Sequence, residues 1–143
     1  MSERPAETYR PESFGLDKEF YELAARSGSV HVQSCELCGE FQHPPRFVCH
    51  SCSSRQFTWQ QIAGVGKVYS WALSHFTIDK AWSESLPYAT VVVESFEGVR
   101  FVGTYSGVQD ELRIGLPVDI RLEVIDEGFV YIWFDPSAET EAQ

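Results

Sequence analysis

The amino-acid sequence predicts a mainly β protein: one N-terminal helix, then a small cysteine-stapled ribbon, then a five-stranded antiparallel barrel. Three observations predict it. A helical spacing of apolar residues opens the chain. All four cysteines then fall within CELCGEFQHPPRFVCHSC, residues 35–52. After them the apolar period drops to two and holds to residue 136.

The chain has 143 residues, which fits one domain with a small appended module. Hydrophobic residues make up 43% and aromatic residues 14%, enough for a core. Lys and Arg number 11 and Asp and Glu 21, so the net charge is 11 − 21 = −10. That mean field repels nucleic acid, because phosphate affinity comes largely from Lys and Arg releasing counterions. No apolar stretch reaches the length of a membrane span. The N-terminal MSERPAETYRPESFG has no apolar signal core. The expectation is a soluble, cytoplasmic protein.

Residues 1 to about 15 read as an arm. In DKEFYELAARS (17–27), Phe20, Tyr21, Leu23 and Ala24 recur at helical spacing. Asp17 is expected to cap this helix and Gly28 to stop it. VHVQ then enters the ribbon as a short strand.

Cys35 and Cys38 form one C-x-x-C pair, and Cys49 and Cys52 form another. Each pair suits a tight turn that aims two thiolates at one centre. Two such turns make a tetrahedral sulfur cage, the usual structural Zn²⁺ site. Gly39 stands where a positive φ is often needed. Four thiolates also suit iron, as in a rubredoxin or an iron–sulfur site. Disulfides are disfavoured without a secretory route. A catalytic zinc is disfavoured because four cysteines close the coordination sphere. His43 and His50 read as solvated loop residues. The cage staples a segment too small to fold on its own core.

Beyond the ribbon, VGKVYSWALSHFTI (65–78) reads as a long strand, with Gly64 and Gly66 permitting a bend or bulge at its start. DKAWSESLP (79–87) is a loop. YATVVVESF (88–96) turns at Glu97-Gly98 into VRFVGTYSG (99–107). In VDIRLEVI (118–125), Val118, Ile120, Leu122 and Val124 share one face. Asp126-Glu127-Gly128 turns into FVYIWFDP. Five strands in this order suit an OB-type barrel, with an SH3-like barrel as the other reading. The division is 1–30 arm and helix, 31–58 ribbon, 59–136 barrel and 137–143 acidic tail.

This order resembles one family: the OB-fold, acyl-CoA-associated proteins with a rubredoxin-like zinc ribbon, domain of unknown function family thirty-five. FYELAARSGSVHVQSCELCG is similar to that family's passage from helix into ribbon. Pro44-Pro45-Arg46, Trp59 with GVGKVYSW (64–71), Pro87-Tyr88, FEGVRF (96–101), IGLPV (114–118) and Phe134-Asp135-Pro136 resemble its later motifs. The resemblance implies a non-catalytic subunit that assembles with a thiolase-superfamily partner, a thiolase or a thiolase-fold aldolase. It implies help in binding or channelling an acyl-CoA during degradation of a steroid, aromatic or fatty acyl-CoA. Two copies flanking a thiolase dimer is the assembly it suggests.

The residues agree with a non-catalytic role. The cysteines belong to the metal, and no G-x-S-x-G elbow or phosphate-cradling glycine loop is present. Ser70, Ser74 and His75 read as polar filler on a half-exposed strand. A bound coenzyme A wants cations near its phosphates and an apolar slot. Arg46, Lys67, Arg100 and Arg113 are the candidate cations, with Trp71 and Tyr88 as aromatic surfaces. Each has a plainer reading. Arg46 braces the ribbon, Lys67 and Arg100 are solvated strand faces, and Trp71, Trp82 and Trp133 are core or interface. Two other functions stand beside the subunit reading: a single-stranded nucleic-acid module, since OB barrels do this, and a free-standing acyl-CoA enzyme.

Overall fold

A computed structural model describes residues 4–5 and 10–138. The described residues form one α-helix, a three-stranded sheet and a closed five-stranded barrel. Residues 1–3 and 6–9 of the expected arm, and residues 139–143 of the expected tail, lie outside them.

Helix α1 spans Gly15–Ser27, starting two residues before the sequence reading. Asp17 is therefore not its cap. Phe14 is, with extended backbone and no side-chain bond. Asp17 sits in the first turn, where its charge favours the helix N-terminus. Gly28 ends the helix as expected: at φ 71 its N–H reaches the Ala24 carbonyl at 2.8 Å. Phe20 and Ala24 are the buried face.

The ribbon sheet has the order β2-β1-β3, with β1 His31–Cys35, β2 Phe41–Gln42 and β3 Phe57–Gln61. Both ladders are antiparallel. β3 was not visible as a strand in the sequence. It carries Trp59, opposite Gln33, so this tryptophan belongs to the ribbon sheet and precedes the barrel's first strand. β3 straddles the 58/59 boundary expected between ribbon and barrel.

The barrel strands are β4 Val65–Ser74, β5 Tyr88–Ser95, β6 Arg100–Tyr105, β7 Pro117–Asp126 and β8 Phe129–Pro136, closed in the order β4-β5-β6-β8-β7. This is the expected mainly β, OB-like barrel. Four seams are antiparallel, and the β6–β8 seam is parallel, pairing Thr104 with Trp133 and Tyr105 with Phe134. Hairpin reasoning does not give that seam. It follows from the chain crossing from β6 to β7 before β8 returns alongside β6.

Inward residues fill the barrel: Val68, Val91, Val93, Phe101, Val118 and Phe134 are all buried. The same core runs on through Phe20, Val30, Val32 and Ile62 under the helix and ribbon. Burying this continuous apolar surface joins ribbon and barrel. Gly66 is required by packing. A Cβ there would lie 2.5 Å from the Glu94 carbonyl oxygen. The bulge falls later than the sequence suggested, between Val68 and Ser70.

Candidate functional site

The two cysteine turns are built alike. In the first, the Cys35 N–H donates to the Glu40 carbonyl at 2.9 Å, and the Gly39 N–H donates to the Cys35 carbonyl at 3.0 Å. In the second, the Cys49 N–H donates to the Ser54 carbonyl at 2.8 Å, and the Ser53 N–H to the Cys49 carbonyl at 3.0 Å. Both bonds span the same offsets. Both turns place a left-handed residue immediately after their second cysteine: Gly39 at φ 78 and Ser53 at φ 64.

These turns bring the four Sγ atoms within 4.8 Å of one another. Cys35 lies 3.5 Å from Cys52, and Cys38 lies 3.6 Å from Cys49, sulfur to sulfur. Thiolates at about 2.3 Å from a tetrahedral zinc sit roughly 3.8 Å apart, so this cage is of zinc size. The backbone already prepares it for charge. The Cys38 N–H chiefly brings the Cys35 thiol down to about 6. The Cys52 and Ser51 N–H groups lower that of Cys49. At Cys38 the Glu40 N–H pulls down, but burial and the neighbouring sulfurs outweigh it and push the thiol up to about 12. At Cys52 the Ser54 N–H likewise pulls down, and burial with the Cys35 sulfur raises the thiol overall. Four thiols this close hinder one another's ionisation, and a bound cation would relieve that repulsion. With all four positions filled by sulfur, a bound ion would hold shape and have no open site for chemistry.

The loop between the turns is held by Gln33, which sequence reasoning missed. Its side chain is 1% exposed. Its Nε2 donates to the Arg46 carbonyl at 2.8 Å and its Oε1 accepts the Arg46 N–H at 2.8 Å. The Gln42 amide also donates to Oε1 at 3.0 Å. A glutamine on a strand ordinarily reads as outward-facing, so the pattern offered no signal. His43 corrects a second expectation. It is half-buried, with its Nδ1 out of reach of solvent: its ring packs 4.9 Å from Phe20 and 4.5 Å from Phe101, and burial pulls its pKa down to about 4. His50 is exposed, as expected.

The candidate coenzyme A residues do not form one cluster. Lys67 and Arg113 line a groove of about 590 Å³ between the start of β4, the end of β5 and the loop before β7. Ser95 also lines it, with a buried hydroxyl that has no hydrogen-bond partner. Arg100 is already engaged, 3.3 Å from Glu94 and 3.8 Å over the Tyr69 ring. Trp71 is exposed on β4. Tyr88 lies in another groove, against Trp82 at 4.9 Å. Arg46 is on the ribbon, where its backbone, rather than its side chain, does the bracing. Trp133 is core, with its indole N–H on Glu123 at 2.9 Å. Ser70, Ser74 and His75 make no hydrogen bond to one another among the described residues, and no helix there is long and apolar enough to cross a membrane.

Comparison with known proteins places this geometry in a family. Residues 59–123 match the family described as ChsH2, C-terminal OB-fold domain. The chain is 32% identical to a probable enoyl-CoA hydratase alpha subunit of Thermomonospora curvata, over 99% of this chain and 44% of that protein. It is 26% identical to the 3-oxo-4,17-pregnadiene-20-carboxyl-CoA hydratase alpha subunit of Mycobacterium tuberculosis, over 90% of this chain and 40% of that one. The chain thus spans less than half the length of these curated relatives. A DUF35-family protein from Sulfolobus solfataricus shares the fold, with TM-score 0.59 at 14% identity over 85% of this chain and 87% of that one. The solved Ltp2-ChsH2(DUF35) aldolase has a chain that superimposes with TM-score 0.76 at 31% identity, covering 89% of this chain and 98% of that one. At 31% identity over 98% of that chain, this chain belongs to the DUF35 OB-fold family.

Proposed function

We propose that this chain is a non-catalytic subunit that assembles with a thiolase-fold partner and helps hold an acyl-CoA substrate, in the degradation of a steroid or another acyl-CoA. The observation that carries this is the match over 98% of a DUF35 chain from an Ltp2-ChsH2 aldolase. The site supports the same reading. The four sulfurs leave a metal no open position, and no described Ser–His pair is assembled. The cage is a structural zinc site formed by Cys35, Cys38, Cys49 and Cys52. Lys67 and Arg113 are the cations best placed for a coenzyme A phosphate, because they share one groove with a hydroxyl lacking a partner.

The experiment is affinity capture of the tagged chain from its native host, with mass spectrometry and then acyl-CoA cleavage assays of the chain, the captured protein and the pair. A thiolase-fold protein near one-to-one, with activity only when it is present, is the expected result. A chain that captures no such protein and turns over acyl-CoA alone overturns the reading. A second reading has its own support: both curated relatives are named hydratase alpha subunits. Capture of a hydratase subunit in place of a thiolase-fold protein would select it.

A further inference from the structure

β6 and β8 share only a short seam, Thr104 with Trp133 and Tyr105 with Phe134. Ahead of that seam a groove of about 340 Å³ runs along β5, β6 and β8. In an OB barrel the face of the second and third strands, with the loop that joins the first to the second, is where ligands sit. β5 and β6 are those strands here, and Trp82 comes from that loop. The walls are aromatic. The Trp82 ring lies 4.9 Å from Tyr88, and 6.2 Å from Tyr131 with the two planes within 29° of parallel. Tyr21 and Phe129, 5.0 Å apart, close the helix end. No Asp, Glu, Lys, Arg, Asn or Gln is among the described residues that line this groove. Its one polar device is a hydroxyl pair, Thr104 Oγ1 and the Tyr131 OH, 2.7 Å apart. Whichever of the two donates, the other keeps its own O–H, so the pair always offers one spare donor.

These features select a ligand. Phosphates need cations, so nucleic acid does not fit the groove. A sugar needs amide or carboxylate partners for its hydroxyls, and none lines it. A flexible chain cannot stack and loses rotamer freedom on binding. A flat, uncharged ring stacks on Trp82 and accepts the spare hydrogen bond through a carbonyl. We propose that this groove binds the acyl end of the substrate, and that this end is a flat ring system bearing a carbonyl. This rests on the proposed function and names its substrate class. The groove's position agrees. Tyr88, Thr90, Val92 and Glu94 alternate onto one face of β5. Tyr88 and Thr90 line the ring groove, and Glu94 lines the groove proposed for the coenzyme A phosphate. Tyr88 and Glu94 are six positions apart, roughly 20 Å of strand. An extended pantetheine arm bridges a distance of that order, over the apolar pair Val92 and Val102, which face each other across β5 and β6.

The test is equilibrium dialysis of the full, zinc-loaded chain with two uncharged probes, the fused-ring ketone androstenedione and the linear methyl octyl ketone. Androstenedione should bind at least about tenfold more tightly. W82A should weaken it by about tenfold, and so should T104V/Y131F, which removes the spare donor whichever hydroxyl holds it. V124S, at an exposed position on β7, should leave it unchanged. In the wild type the amide signals of Thr90, Val102 and Thr104 should shift with androstenedione, which locates the site without relying on any variant's fold. No binding, equal binding of both probes, or shifts confined to other residues overturns the ring site. The proposed function is then decided separately, by capture of the thiolase-fold protein. Shifts in the groove caused by the captured protein and not by androstenedione make it a protein docking surface, which also overturns the ring ligand. If androstenedione binds as expected and no thiolase-fold protein is captured, the ring site stands and the proposed assembly falls.

Discussion

The ring of His43, in the ribbon loop, lies 4.5 Å from that of Phe101, on the inner wall of the barrel. Phe20 of the helix closes on its other side at 4.9 Å. One titratable ring therefore joins helix, ribbon and barrel. Its buried Nδ1 has no hydrogen-bond partner.

This arrangement makes stability depend on acid. The ordinary pKa is 6.5, and burial lowers it to about 4 in the fold. Above pH 6.5 the ring is neutral folded and unfolded, and contributes no slope. Between 6.5 and 4 only the unfolded chain binds the proton, so stability falls with pH, by on the order of 2–3 kcal/mol in all. His43→Phe removes both the proton and the orphaned nitrogen. It should melt higher at pH 7, by the equivalent of about 1 kcal/mol, and the gap should widen at pH 5. Thermal unfolding of both zinc-loaded proteins at the two pH values checks this; a gap that is constant with pH would refute it.

Gln33 and Arg46 give a second prediction. The Gln33 amide serves the Arg46 backbone as a neighbouring strand would, donating to its carbonyl and accepting from its N–H. Gln33→Ala should cost about 1–3 kcal/mol, read as a lower denaturant midpoint. Gln33→Glu keeps the shape but turns a carboxylate oxygen toward the Arg46 carbonyl. It should cost at least as much at pH 7, with the loss easing as the carboxyl protonates.

The matched cysteine turns predict opposite effects from exchanging their left-handed residues. Ser53 holds φ 64 where Gly39 holds φ 78. Gly39→Ser should destabilise by about 1–2 kcal/mol, although a Cβ there meets nothing within 4 Å, because the cost is conformational. Ser53→Gly should be stabilising by up to about 1 kcal/mol, less the entropy that glycine adds to the unfolded chain. Melting of the zinc-loaded variants decides both signs.

For the cage itself, elemental analysis should find about one zinc per chain, in a colourless protein. Cys38→Ser or Cys52→Ser should lose the metal and lower the melting temperature, as should a strong chelator on the wild type. A visible absorption band would identify iron instead. A serine variant that melts like wild type would remove the structural role.

Much of this was legible along the chain. Apolar spacing gave α1 because its buried residues, Phe20 and Ala24, recur with the turn of the helix. The paired C-x-x-C spacing gave the cage because each turn is local, closed by hydrogen bonds between residues four and five apart. Alternation in β5, with Ala89, Val91 and Val93 all buried, gave a strand with one inward face.

What the sequence determined by itself is whatever short-range geometry enforces: one helix, two metal turns, alternating strands and the hairpins that join neighbours. Tertiary structure alone decided the rest. The parallel β6–β8 seam, the packing of His43, the hidden Gln33 and the joining of β4 to β7 each depend on a partner distant in the chain. It also decided that Lys67 and Arg113 share a groove while Arg46 and Tyr88 lie elsewhere. The physical reason is that periodicity records which face of a segment is apolar. It does not record which distant segment covers that face, and burial, register and charge environment are properties of the pair.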